Sequence, residues 1–102
     1  MGKLVRDNIP DIIERSEGKK PKIRTLGAKS YQQALLTKLV EEASEAASAK
    51  NKKDLVMELA DVEEVLATIR WAFGIAKPVI TKIQNKKRKE RGGFIKRIFL
   101  VD

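Results

Sequence analysis

Apolar residues recur with the period of a helix over two long stretches of this chain. Leu35, Leu36, Leu39, Val40, Ala43, Ala46 and Ala47 fall on one side of a helix, and Ser30 followed three positions later by Gln33 has the form of a capping box. The pattern predicts a helix from about residue 30 to about residue 49. Asn51 to Asp54 supply a turn and a cap, after which Leu55, Leu59, Val62, Leu66, Ile69 and Phe73 mark one face of a second long helix that Gly74 ends. Pro10 suits the first turn of a short helix reaching about residue 16, with breakers at residues 18–21. Pro78 opens another, with Val79, Ile80 and Ile83 as its apolar edge and Gly92-Gly93 as its stop. Two runs rich in extended-favouring residues, 22–26 and 94–101, read as short strands able to pair with each other.

The predicted fold class is therefore all-α. Two long helices joined by a tight turn form an antiparallel core, with shorter helices around it and a possible small two-stranded sheet from residues 22–26 and 94–101. The apolar stripes of the long helices are wider than one pair can cover, so a third helix or a second subunit must cover the remainder. No repeat or low-complexity linker divides residues 1–102, which read as a single domain. A chain of this length buries only about two-thirds of its unfolded surface, so self-association would help it.

Composition narrows the chemistry. There is no cysteine and no histidine, which removes disulfides, thiolate nucleophiles, cysteine-ligated zinc and the commonest general base. Carboxylates, amines and guanidiniums must do whatever is done. No apolar run approaches the ~20 residues of a membrane span, and the amino terminus has no apolar signal core, so a cytoplasmic protein with no membrane partner is expected.

The net charge of +8 is unevenly spread. Residues 86 to 97 carry seven Lys or Arg against the single Glu90, while residues 41 to 64 hold eight acids against three lysines. An acidic cluster can hold divalent cations and a basic one can hold phosphates, so a metal-bound polyphosphate would satisfy both.

Within the acidic stretch, Glu42 and Glu45 are neighbours on one helix face, as are Glu58 and Asp61 on the next. Glu42 and Glu58 also lie at the edge of their apolar stripes, so antiparallel packing brings the two pairs towards each other at the rim of the core. Carboxylates massed there repel unless a cation intervenes, and Mg²⁺ is typically held by a few carboxylates with water and substrate phosphates completing its shell. The residues alone leave a second reading open, in which these are solvated faces of helices rich in a good helix former. Against it, Lys38 is the only basic residue between Lys29 and Lys50, and none occurs between Lys53 and Arg70.

Glu41-Glu42-Ala43-Ser44-Glu45, followed after twelve residues by Glu58-Leu59-Ala60-Asp61, resembles the ExxE and ExxD motifs of the MazG-like all-α nucleoside triphosphate pyrophosphohydrolases. That superfamily includes phosphoribosyl-ATP pyrophosphohydrolases and dimeric dUTPases. Lys3-Leu4-Val5-Arg6-Asp7-Asn8-Ile9-Pro10 and Arg91-Gly92-Gly93-Phe94 resemble the flanks of a small house-cleaning subgroup, so the resemblance covers nearly the whole chain. It implies a helical homo-oligomer, dimeric or higher, that carries Mg²⁺, or Mn²⁺ in its place, on Glu42, Glu45, Glu58 and Asp61. It also implies hydrolysis of a nucleoside triphosphate between the α and β phosphates to a monophosphate and pyrophosphate. Glu41, Glu42 and Glu45 are the candidate catalytic residues, with Glu41 as a supporting group or base. Metal ions polarise phosphoryl oxygens and activate water, so such chemistry needs neither His nor Cys.

For the substrate's phosphates the candidates are Lys87, Arg91 and Lys96, and also Lys3 and Arg6 if the amino terminus folds back over the acids. Lys87 and Arg91 are one turn apart, and Gly92-Gly93 lets backbone amides approach an anion. Lys86 to Arg91 is equally readable as a solvated helix end that complements the helix dipole. Tyr31, Trp71 and Phe73 are possible base-stacking groups, though each more often serves packing. Two other functions compete with the enzyme: a basic helical nucleic-acid-binding module, which explains the charge but not the acids, and a helical interaction protein without activity. Aromatic residues are only 5% of the chain, which disfavours nucleic acid as a partner. Base and sugar preference, ordinary or modified, ribo or deoxy, is not encoded in such motifs.

Overall fold

The computed structural model describes residues 2–101 and consists of four helices, α1 (Ile9–Glu17), α2 (Ala28–Ala47), α3 (Lys52–Ala72) and α4 (Lys77–Arg91). Each helix has a local cause. Pro10 stands in the first turn of α1, and Gly18 ends it in the left-handed conformation, its amide donating to the Glu14 carbonyl at 2.8 Å. A residue without Cβ takes that φ of 71° without strain. At the start of α3 the Asn51 side chain accepts from the Asp54 amide at 2.8 Å, so the cap read from the sequence is formed. Helix α4 begins with Pro78 in its first turn and stops at Gly92.

The start of α2 differs from expectation. Gly27 takes the N-cap position and the helix begins at Ala28 with no side-chain cap bond. Ser30 is thus already helical and does not build the capping box with Gln33. Gly27 enters the helix through extended backbone, and its carbonyl accepts from the Tyr31 amide at 2.8 Å.

Helices α2 and α3 make the one extensive helix-to-helix contact. Their short connection forces them antiparallel, and Gln32 near the start of α2 donates to the Ala72 carbonyl at the end of α3 (3.0 Å), which fixes the register across the far end. Leu35 and Val65, at 2% and 9% exposure, are the two buried apolar side chains among the described residues. The rest of the stripes is only partly covered, with Leu55, Leu59 and Phe73 still exposed.

The expected two-stranded sheet is absent. No strand occurs among the described residues, and both 22–26 and 94–101 are irregular. In the second segment the Arg97 amide donates to the Phe94 carbonyl at 3.3 Å, and Arg97 has φ 60°. A turn with a left-handed residue interrupts the extended backbone that pairing needs. Every described residue from Phe73 onward is exposed, so α4 and the segment after it form an arm with little packing on the helical pair. The radius of gyration, 17.5 Å, accordingly exceeds the ~13 Å of a compact chain of this length.

Because so few side chains are buried, single contacts in the pair should count heavily. Leu35→Ala is expected to cost about 2–5 kcal/mol, and Asn51→Ala about 1 kcal/mol through the lost cap. Urea unfolding followed by helical circular dichroism measures both.

Candidate metal centre

The antiparallel register sets Glu42 on α2 opposite Glu58 and Asp61 on α3. One carboxylate oxygen from each of the three lies within 4.8 Å of the others, and all three residues are half-buried. Opposite ligands of a hard divalent cation stand roughly 4–5 Å apart. Three oxygen donors at this separation could hold a metal ion.

Glu45 stands outside this triad and is exposed, although its charge reaches Glu58. Partial desolvation, then the charges of Glu45, Asp61 and Glu42, raise the Glu58 pKa above its ordinary value. Glu58 is also the one member of the triad without an ion pair among the described residues.

The other acids are partly neutralised from two directions. Lys38, one turn before them on α2, lies 3.2 Å from Glu41 and 3.4 Å from Glu42. The amino-terminal segment folds back over the site, so that Arg6 Nη2 donates to Asp61 Oδ1 at 2.7 Å and Lys3 Nζ stands 4.0 Å from Glu41. The side chains of Arg6 and Asp61 are 57% and 41% exposed, which limits the pair to about 0–1 kcal/mol of stability. Its larger consequence is positional, because it closes the amino-terminal segment over the triad across 55 positions of sequence.

Between that segment and the helical pair runs an open cleft of about 910 Å³, with Glu42 and Asp61 in its wall beside Arg6 and Lys38. Tyr31 gives the same wall an aromatic face, and Glu64 adds a further acid one turn beyond Asp61. Sequence reading passed over Lys38 and Glu64 as site residues. Both were signalled by spacing, Lys38 four before Glu42 and Glu64 three after Asp61.

Lys3 and Arg6 are thus brought to the acids, and Glu41 lies beside them in contact with Lys38. Lys87, Arg91 and Lys96 are not: they lie on the exposed arm, outside this cleft and outside the neighbouring one along α1 and residues 21–26. Trp71 is 76% exposed and also lies apart from the cleft. Comparison with protein-family models, with curated proteins and with solved structures found no match for the chain, so what the site can do follows from its residues and their geometry.

The raised Glu58 pKa fixes a sign. A carboxyl that binds its proton more tightly in the folded than in the unfolded chain makes folding less favourable as pH rises from the ordinary glutamate range through the raised value. Without divalent cations, Glu58→Gln should therefore remove a loss of thermal stability that the unaltered protein shows over that window, and should match or exceed its midpoint at neutral pH. Melting curves recorded in chelator across the acidic range measure the difference.

Proposed function

We propose that the protein is a Mg²⁺-dependent nucleoside triphosphate pyrophosphohydrolase of the MazG-like kind, cytoplasmic and self-associating. The observation that carries this reading is the meeting of two motif acids on α3 with one on α2, two of the three, Glu42 and Asp61, standing in the wall of a cleft lined also by Arg6 and Lys38. An acidic group flanked by guanidinium and ammonium groups is what a metal-bound polyphosphate requires. The motif resemblance described above supports the same reading from the sequence, and the lack of any helix long and apolar enough to cross a membrane is compatible with it.

In this proposal Glu42, Glu58 and Asp61 hold Mg²⁺, or Mn²⁺ in its place, and Glu45 completes the set or adds its field. The ion supplies charge neutralisation at the phosphoryl oxygens and activation of water when it is bound. The chain's own groups do the rest. Arg6 binds phosphate oxygens through a planar fork suited to bidentate contact, and it becomes available for this when a cation takes over Asp61. Lys38 and Lys3 add positive charge over the same opening. Of the two roles open to Glu41, proton acceptor or support, its contacts with Lys38 and Lys3 favour support, because they hold Lys38 between Glu41 and Glu42. Tyr31 offers a surface for the base. Water attacks across the α–β linkage and leaves a nucleoside monophosphate and pyrophosphate.

The exposed cations of α4 favour a second reading, nucleic-acid binding, since no ion pair neutralises any of residues 86–97 among the described residues. It leaves the acidic triad unused. The test is incubation with a panel of ordinary and modified nucleoside triphosphates plus Mg²⁺, with product identification. Monophosphate and pyrophosphate are expected, whereas diphosphate and orthophosphate, or no turnover across the panel, would refute the reading. Salt-sensitive binding to nucleic acid without turnover would put the second reading first.

The ligands have a thermodynamic signature as well. Mg²⁺ should raise the melting midpoint by mass action, because the unfolded chain cannot assemble the carboxylates, and saturating metal at about 100 times Kd stabilises by about 2.7 kcal/mol. Asp61→Asn and Glu58→Gln should abolish that rise and lower kcat/KM by at least ~100-fold, as expected when a metal ligand is lost. Full Mg²⁺-dependent turnover in either variant would show that the triad is not the metal site.

A further inference from the structure

The amino-terminal segment is held against the acids by few contacts, and those described are largely ionic. Residues 2–6 are irregular, and residues 7–8 turn into α1. Of residues 2–7 only Leu4 is half-buried, the others being exposed. Because the one extensive helix-to-helix contact is that of α2 with α3, α1 gives the segment little anchorage from behind. Its ion pairs with the helical pair are Arg6 Nη2 on Asp61 Oδ1 at 2.7 Å and Lys3 Nζ near Glu41 Oε1 at 4.0 Å. The cations around the acids are therefore of two kinds. Lys38 is rooted on α2, its side chain only 16% exposed, and stays beside Glu42 as long as the helix exists. Arg6 is rooted on backbone that has no secondary structure, and it covers an oxygen of a carboxylate belonging to the triad.

We propose that Arg6 and a divalent cation compete for Asp61, so that the amino-terminal segment is a strap which cation binding releases. The inference rests on the metal reading of the triad and adds the regulation of that site. A divalent ion and a guanidinium on one carboxylate stand a few ångströms apart and repel, and the group on the less anchored backbone yields. Competition is reciprocal by linkage: the strap weakens cation binding by the factor by which the cation weakens the strap. For a pair as exposed as this one, that factor is at most about five. Residues 3–9 line one side of the cleft whose other side carries Tyr31, Glu42 and Asp61, so release opens the cleft where the acids are. The contrary arrangement keeps Arg6 on Asp61 as a positioning residue that steadies the carboxylate for a metal on its other oxygen, and it predicts the opposite sign.

Affinity reads that sign. Titration calorimetry of residues 1–102 with Mg²⁺ alone should show binding about two- to five-fold tighter in Arg6→Gln than in the unaltered protein. Equal affinity, or weaker binding as a steadying role requires, would overturn the competition.

Release is measured separately, as a distance. The chain has no cysteine, a Cβ added at Gly2 meets nothing within 4 Å, and Trp71 is exposed near the end of α3. Spin labels on Gly2→Cys and Trp71→Cys therefore report the separation of the strap from the helical pair. In chelator the distance distribution should be narrow. Saturating Mg²⁺ should shift and broaden it more than KCl of equal ionic strength does, because salt screens the pair but does not take its place. Asp61→Ala should give the broad distribution with no Mg²⁺ present. Distances that Asp61→Ala leaves unchanged, or that Mg²⁺ leaves unchanged in a chain calorimetry shows to bind it, would overturn the strap and leave the metal reading standing. A chain that binds no Mg²⁺ would overturn both. Turnover enters neither measurement, so failure of the pyrophosphohydrolase reading would appear in the product panel alone.

Discussion

The contact between α2 and α3 is the constraint on which the rest depends. Leu35 and Val65 are buried in the pair, and the Gln32 to Ala72 hydrogen bond holds its far end in register. Given that register, a residue ten positions further along α2 must face one about ten positions back on α3. Glu42 and Asp61 stand in that relation and meet. The site is therefore a by-product of helix geometry: 1.5 Å of rise per residue on each helix, run in opposite directions, places the two acidic pairs side by side. A shift of one turn would carry Glu42 past its partners by about 5 Å, beyond sharing an ion.

Electrostatics works against this arrangement, and the molecule answers it unevenly. Lys38 lies between Glu41 and Glu42, and Arg6 closes on Asp61. Glu58 is left without a cation and responds with a raised pKa. A solvated helix face would spread its acids apart by rotamer choice at no cost, since each would be surrounded by water. Here three partly exposed carboxylates from two helices lie within 4.8 Å of one another.

Much of this was legible in one dimension. The period of the apolar positions located α2 and α3, Pro10 and Pro78 marked the starts of α1 and α4, and Asn51 announced its own cap. The i, i+3 acids at the stripe edges predicted a meeting that Glu42, Glu58 and Asp61 make. Tertiary relations were harder to read. Nothing local states that Arg6 will reach Asp61 across 55 residues, and only the motif resemblance raised the possibility. The strand reading of residues 22–26 and 94–101 failed because β propensity records how a side chain suits a pleated surface, and here neither segment has a neighbour to form one. Ser30 misled for a similar reason: its pattern was right for a cap, but Gly27 takes the N-cap position in extended backbone and the helix has already begun at Ala28.

The thin core bears on the site as well as on stability. With two residues buried and an arm that has little packing in its own copy, one copy has little apolar burial to set against the entropy of ordering its helices. Whatever covers the stripes must also govern how firmly α2 and α3 hold their register, and so how closely the carboxylates are kept together. Cover on the exposed apolar side chains of the helical pair would also lower the water content around it. Lower water content strengthens both the repulsion among the acids and their attraction for a cation. Association, register and cation affinity are in this way linked through the packing of α2 on α3, and a change that loosens one must be felt by the others.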